Sequence, residues 1–343
     1  MTKRFHKSTS LKELSAILRL SQSTVSRVIN GEGDNFRIAR DTQERVLQAA
    51  ALHGYTANSV ARSLREKRSY TVGVIVPEIS EGYSTSVLGG IEDELLKDGF
   101  FYFVASHRHR ADLLKHYPRM MLARAVEGII AIDTAIEEDL PVPVVAVSGH
   151  QHRPGVINIE LDHVQAAQLA LSHLKELGHT RIAFIKGQSF SSDTEGRWRA
   201  IVETAKALDI TVDARCVAQL QGVDPGPGPG VEATRELLRS GRLFTALFAF
   251  NDVTAMGAIL ALREAGRRVP EDISVVGFDD VMAASTYNPP LTTIRQPLRN
   301  MGQTAATTLL ELLRNQAADP EPVAIKVYPS IVVRNSTARV PTS

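Results

Sequence analysis

Within residues 21–30, Gln22, Ser23, Ser26 and Arg27 share one face of a helical pattern whose opposite stripe is Val25, Val28 and Ile29. These are side chains that can read base edges. Arginine pairs bidentately with guanine, glutamine with adenine, and hydroxyls reach bases or phosphates. Such a set needs a helix with one face buried and the other free to lie in a major groove. Ser21 supplies an N-cap and Asn30-Gly31 an end. A preceding helix over about 10–18 begins at Ser10, three residues before Glu13, the spacing of a reciprocal cap. Its stripe is Leu11, Leu14, Ile17 and Leu18. Arg19 and Leu20 make the turn between the two helices, and a third over about 42–53 offers Val46, Leu47 and Ala50 to the same small core. Two short helices joined by a tight turn match a helix-turn-helix. A purely structural three-helix bundle satisfies the same pattern.

Charge supports the first reading. Residues 1–69 hold 13 Lys and Arg against 6 Asp and Glu, +7, which leaves 26 against 32, −6, for the remainder of a chain whose net charge is +1. The basic end is the candidate nucleic-acid surface, with a solvated basic face as the bland alternative. At 343 residues, 43% hydrophobic and 22% charged, the chain has room for two or three globular units. Its longest apolar runs, 72–76 and 142–147, are strand-length and far short of a membrane span. Lys3, Arg4 and Lys7 are followed by a polar, cap-rich pattern rather than a signal peptide's apolar stretch, so a soluble cytoplasmic protein is expected. The single cysteine, Cys216, excludes an intramolecular disulfide. There is no phosphate-cradling Gly-Lys-Ser/Thr loop, no nucleophile elbow and no metal-ligand spacing beyond the weak pair His107 and His109, so neither an enzyme nor a cofactor or metal is expected.

From Thr71 onward, strand-like runs at 71–76, 101–105, 128–132, 142–147, 157–161, 181–185, 245–250 and 273–278 alternate with helical stretches. That alternation predicts parallel sheets covered by helices. The run from Pro225 to Gly230 alternates Pro and Gly and reads as a loop, either a pocket lid or a surface connection.

Four stretches carry a family resemblance: Ser10-Leu-Lys-Glu-Leu-Ser, Ser21-Gln-Ser-Thr-Val-Ser-Arg-Val-Ile-Asn30, Gly54-Tyr55 with Asn58-Ser-Val-Ala-Arg-Ser-Leu64-Arg65, and Thr71-Val-Gly-Val-Ile-Val-Pro77. Together they resemble the LacI/GalR regulators over nearly the whole chain. The resemblance implies an all-α helix-turn-helix domain (1–56), a hinge helix and linker (57–69) and an α/β core (70–343). That core would be periplasmic-binding-protein-like, with two doubly wound parallel-sheet subdomains, about 70–161 with 296–325 and about 162–295 with 326–340, crossed near 162, 295 and 325. It implies DNA contacts from Ser10, Ser21, Gln22, Ser23, Thr24, Ser26, Arg27 and Asn30, and from Asn58, Ala61, Leu64 and Arg65 of the hinge. Gln22, Ser23 and Arg27 would read bases, and Leu64 would wedge into the minor groove beside its dimer mate. Effector contacts would come from Asn251, Asp279 and Arg197, with Asp162 and Tyr83 as weaker candidates. The implied protein is a repressor that binds a palindromic operator as a homodimer and answers to a small molecule, a sugar or sugar derivative by default. No heptad repeat follows Arg334, which favours a dimer over a tail-mediated tetramer.

This chain also departs from the family pattern. Arg19 stands where a turn glycine is common, and residues 31–40 form a longer segment than in most members. Val223-Asp224 follow Gly222 where many members place an aromatic, and Ser84 replaces a frequent aromatic beside Tyr83, which argues against a purine ligand. The rival reading is a solute-binding protein of the periplasmic sugar-binding type, which shares the core but has no use for residues 21–30.

Overall fold

In the computed structural model, which describes residues 9–55, 68–80, 82–136, 138–149, 153–315 and 324–340, the chain divides into two units, Met1–Ser69 and Tyr70–Ser343. The described part of the first unit holds helices α1 (Leu11–Leu18), α2 (Gln22–Ile29) and α3 (Arg40–Leu52). Ser10 and Glu13 cap each other reciprocally, Glu13 N donating to Ser10 Oγ at 3.2 Å and Ser10 N to Glu13 Oε2 at 2.7 Å. Arg19 ends α1 in the left-handed region at φ 54°, where its N–H reaches the last carbonyls of the helix. A non-glycine residue there costs roughly 1 kcal/mol. Leu14, Leu18, Val25, Val28 and Val46 make the buried core. Ile17 and Leu47 do not join it as the pattern suggested, each being 52% exposed. Three short helices enclose a narrow stripe, and a residue 100° around from Leu18 or Val46 falls outside it.

The second unit is a two-lobed α/β body. In the first lobe, β1 (Thr71–Val76), β2 (Phe101–Ser106), β3 (Gly128–Ile132), β4 (Val144–Val147) and β5 (Val156–Leu161) alternate with α4 (Gly82–Lys97) and α5 (Ala111–Leu122). The second lobe runs α6 (His163–Glu176), β6 (Ile182–Lys186), α7 (Asp193–Ala207), β7 (Val217–Gln219), α8 (Gly228–Arg239), β8 (Ala246–Phe248), α9 (Asp252–Glu264), β9 (Ser274–Asp279), α10 (Met282–Thr286) and β10 (Thr292–Arg295). The chain then returns to the first lobe with α11 (Leu298–Asn315) and β11 (Ala324–Val327), and ends in the second with β12 (Ser330–Val332). The sheet orders are β11-β5-β4-β3-β1-β2 and β12-β10-β9-β8-β6-β7, so the backbone passes between lobes after β5, after β10 and after β11. Described neighbours pair in parallel, save that β12 runs antiparallel to β10. β3 and β4 are buried throughout, as their unbroken apolar sequences require when helices cover both faces.

Two helix pairs cross at bare backbone. A Cβ on Gly90 of α4 would land on the Arg299 carbonyl, and one on Gly302 of α11 on the Val87 carbonyl. Gly257 of α9 meets the Pro227 carbonyl, and Gly230 of α8 the Thr254 carbonyl, in the same manner. The Pro/Gly run is therefore not a loop throughout. Its second half, from Gly228, opens α8 with a proline in the first turn, where no amide donor is needed. Gly302→Ala is expected to cost about 2 kcal/mol by overpacking and to lower the thermal midpoint by several degrees. Gly196→Ala should leave it unchanged or raise it, since a Cβ there meets only the His163 ring at 3.7 Å. Paired calorimetric scans of the two variants check both outcomes.

Candidate nucleic-acid interface and effector pocket

Helix α2 buries Val25 and Val28 and leaves Gln22, Ser23, Arg27 and Asn30 exposed, with Thr24 and Ser26 half-buried. The hydroxyl of Ser21 accepts from Thr24 N at 3.1 Å and lies 2.8 Å from the hydroxyls of Ser23 and Thr24. Ser10 and Ser21 are thus helix caps, which fix where α1 and α2 begin. Asn30 Nδ2 donates to Ser26 Oγ at 3.4 Å. Arg27 lays its guanidinium on the ring of Phe36, 3.7 Å from the centroid. The hinge residues Asn58, Ala61, Leu64 and Arg65 lie outside the described residues.

In the second unit, a cleft of about 710 Å³, partly open to solvent, lies between the lobes at the carboxyl ends of the strands. Tyr83, Arg197, Asn251 and Asp279 all line it. Asp162 is not among the lining residues. Its carboxylate caps α6, accepting from Gln165 N at 2.9 Å.

Arg197 is 5% exposed. It pairs with Asp193 at 2.6 Å, donates to the Phe250 carbonyl at 2.6 Å and lies over the rings of Phe250 and Phe278, at 4.4 and 3.8 Å. Its Nε has no hydrogen-bond partner among the described residues. Asn251 caps α9 through Oδ1, with Thr254 N at 2.8 Å, so its amide nitrogen is the part available to a ligand. Asp279 ends β9 at φ 110°, a conformation disfavoured for a residue with a Cβ, and Gln296 Nε2 donates to it at 2.6 Å. Burial pushes its carboxyl well above the usual carboxylate range; Arg197 opposes this, while Asp252 and Asp193 add to it.

The surroundings hold Asp279 in place. Thr293 Oγ1 and Val281 N both donate to Asp252, at 2.6 and 2.8 Å, and burial raises Asp252 to about 7. Asp280 is clamped by Arg295 and Arg334, each at 2.6 Å. Tyr83 donates its hydroxyl to Ser148 Oγ at 2.9 Å, so the phenol is tied into the first lobe rather than standing free on a rim.

Several residues that the sequence did not single out complete the cleft. Asp133, Asp193 and Glu78 add carboxylates, and Phe190 and Phe250 add apolar faces. Asp224 and Val223 reach it from the segment before the Pro/Gly run. Ser192 Oγ, from the second lobe, lies 2.6 Å from Asp133 Oδ1 and 2.5 Å from the Ser148 carbonyl, both of the first. The rings of His109 and Phe190 also meet across the lobes, with centroids 4.0 Å apart. His107 belongs to a chain of donors rather than to a metal pair. His109 N donates to its Nδ1 at 3.0 Å, its Nε2 faces Thr134 Oγ1 at 3.0 Å, and Thr134 donates on to the Ile132 carbonyl at 2.6 Å. With Nδ1 accepting, the proton sits on Nε2.

Residues 19–58 match the bacterial regulatory proteins of the lacI family, and residues 171–337 match the periplasmic binding protein-like domain. The PurR transcriptional repressor of Aliivibrio fischeri is 31% identical over 344 residues, spanning 96% of this chain and 98% of its own. The chain belongs to the LacI family. The PurR repressor of Haemophilus influenzae is 30% identical over 341 residues, covering 96% and 99%. Among solved structures, the lac repressor dimer bound to operator and the anti-inducer ONPF superposes with a TM-score of 0.84 at 28% identity, over 97% of this chain and all of that one. The CelR–cellobiose complex gives 0.70 at 28%, over 96% and 99%. These relatives are transcriptional regulators, and this LacI-family chain is a transcriptional repressor, not an enzyme. The solute-binding alternative falls with the match over residues 19–58. Among the described residues no helix is long and apolar enough to cross a membrane.

The buried His107 gives this LacI-family core a pH signature. Burial lowers its pKa from 6.5 to about 4, so between those values the unfolded chain binds a proton that the folded one does not. Stability in that window therefore rises with pH. His107→Gln is expected to flatten the slope of denaturation midpoint against pH between about 4 and 6.5. Unchanged parallel curves for the two proteins would remove His107 as the source.

Proposed function

We propose that this repressor binds a two-fold symmetric operator as a homodimer and that its effector is an uncharged polyhydroxylated molecule, a sugar or sugar derivative. The carrying observation is the charge of the cleft. Glu78, Asp133, Asp193, Asp224 and Asp279 line it, and among the described residues Arg197 is the one lining Lys or Arg. The Arg197 charge is already matched by Asp193. An anionic ligand would face carboxylates with no cation left to meet it. Sugar hydroxyls both donate and accept, which suits carboxyl groups such as that of Asp279 and the Asn251 amide, while Phe190 and Phe250 offer surfaces for a sugar's C–H face. The solved CelR relative holds cellobiose, which agrees with this reading.

On the DNA side, Gln22, Ser23 and Arg27 read bases in the major groove, and the paired Leu64 residues open the operator centre. Effector binding alters the contact between lobes where Ser192 bridges to Asp133, and the dimer passes that change to the hinge. The coupling can be no larger than the ligand's differential affinity for the two states.

The test is operator binding by the full chain, on sites selected from a random duplex pool, in the presence of neutral sugars, sugar phosphates and sugar acids. A neutral sugar is expected to shift operator affinity on the order of 5- to 150-fold, and Asp279→Asn or Asn251→Ala should abolish the shift without changing affinity in its absence. Tighter response to a phosphorylated ligand would overturn the effector class.

The dimer has its own check. Edge strand β2 exposes Phe101 by 61%, Phe103 by 38% and Val104 by 40%. An edge with this apolar character needs a cover, and the dimeric lac repressor relative points to a second copy. Phe101→Asp is expected to yield monomers in sedimentation analysis and to weaken operator binding at least tenfold, on the order of the avidity lost with one half-site. A dimer that survives Phe101→Asp with Phe103→Asp would place the seam elsewhere.

A further inference from the structure

Residues 31–40 fold into a bonded loop against the end of α2. Glu32 N donates to the Arg27 carbonyl at 2.9 Å, Phe36 N to Glu32 at 3.2 Å, Arg37 N to Asp34 at 3.0 Å and Ile38 N to Gly33 at 2.9 Å. Gln43 of α3 staples the loop from below, its Nε2 donating to Asp34 Oδ1 and to the Ile38 carbonyl, both at 2.8 Å. The amide group of Gln43 packs where a Cβ of residue 33 would stand, so the bare glycine leaves room for this staple. Ile38 then packs against the three-helix core and anchors the far end.

What this loop presents is Phe36. The ring remains 48% exposed, so it is not core filling. Its partner is the Arg27 guanidinium, whose central carbon lies 3.7 Å from the ring centroid. A guanidinium held over a ring in this way keeps its N–H donors for another partner, because the ring face engages its charge and not its hydrogen-bonding edge. A long, exposed arginine otherwise surrenders rotamer freedom when it docks on a base, which subtracts from the binding free energy.

We propose that Phe36 is a positioning residue for sequence recognition: it holds the Arg27 fork in place before DNA arrives, so that the longer 31–40 segment sharpens discrimination at the base pair Arg27 reads. The inference rests on Arg27 being a base-reading side chain. A loop that merely added phosphate contacts through Arg37 and Arg40 would strengthen binding to all sequences alike. A positioned Arg27 acts at one place in each half-site.

The experiment is base-pair-resolved site selection with the full chain, comparing wild type with Arg27→Ala, Phe36→Ala, Phe36→Leu, Phe36→Tyr and the double variant Arg27→Ala/Phe36→Ala. Arg27→Ala marks the base pair it reads. At that same base pair Phe36→Ala and Phe36→Leu are expected to lower discrimination about fivefold, the worth of one exposed cation–π contact. Phe36→Tyr should restore it, and Phe36→Ala should add nothing once Arg27 is gone. Phe36→Leu keeps apolar volume, so loss in that variant is not a folding defect. If Arg27→Ala loses discrimination and both Phe36 truncations keep it, this inference fails while the base-reading role stands. If Arg27→Ala leaves every base pair unaffected, both fail. Uniform weakening across all positions by Phe36→Ala assigns the loop to backbone contacts and overturns the proposal.

Discussion

The interior of the sensor core is arranged around one buried cation. A guanidinium removed from water is tolerable only when it is paired and fully hydrogen-bonded. Arg197 meets most of that demand with Asp193 one turn earlier on α7, the Phe250 carbonyl just past β8, and two aromatic faces, which leaves only its Nε without a hydrogen bond. Because this pair is neutral as a unit, every other acid near it must face solvent, find its own partners or hold a proton. Asp280 takes two arginines, Asp252 takes two donors, and Asp279, left with Gln296, has its carboxyl pushed above the usual range by burial. The character of the cleft follows from that sequence of necessities.

The same logic separates the two kinds of residue in the cleft. The Arg197 charge and the Asp252 carboxyl are already matched by protein groups. Asn251 and Asp279 retain unsatisfied capacity that faces the opening. The bridge from Ser192 to Asp133 and Ser148 has one hydroxyl proton for two acceptors. A polyol that supplied another donor there would change which lobe contacts are worth making, which is the differential affinity that allostery requires.

Much of this was legible in the chain. The reciprocal cap of Ser10 and Glu13, the cap at Ser21, the left-handed turn at Arg19 and the alternation of strands with helices from Thr71 are local or periodic signals, and the structure carries each of them, while the short β7 and the strands after residue 290 had no such signal. Four of the five effector candidates meet in one cleft because each follows a strand or starts a helix at the same end of its sheet. Other features depended on partners distant in sequence. Asp162 looked like a ligand contact but is a cap, and a cap and a ligand group have the same residue types. Ile17 and Leu47 fit an apolar stripe wider than three short helices can enclose. The Pro/Gly run hid a helix start because its glycines answer to a neighbouring backbone rather than to a turn. Phe36 carried no pattern at all; only its contact with Arg27 singles it out.

The three passages between lobes also bear on how the chain is made. Neither lobe is a continuous stretch of sequence, since α11 and β11 complete the first lobe only after the second has been almost fully written. α11 packs along α4 and against β3 and β4, so for most of translation those elements emerge without their cover. Domains that fold as they leave the ribosome do so from the N-terminus forward. Here the helix-turn-helix unit can do that, while both lobes must wait for β11 and β12, which follow β1 by about 250 residues, a delay on the order of tens of seconds at 5–20 residues per second. A polypeptide released early, even by thirty residues, would lose edge strands from both sheets at once and leave a DNA-binding head on a core with neither lobe closed.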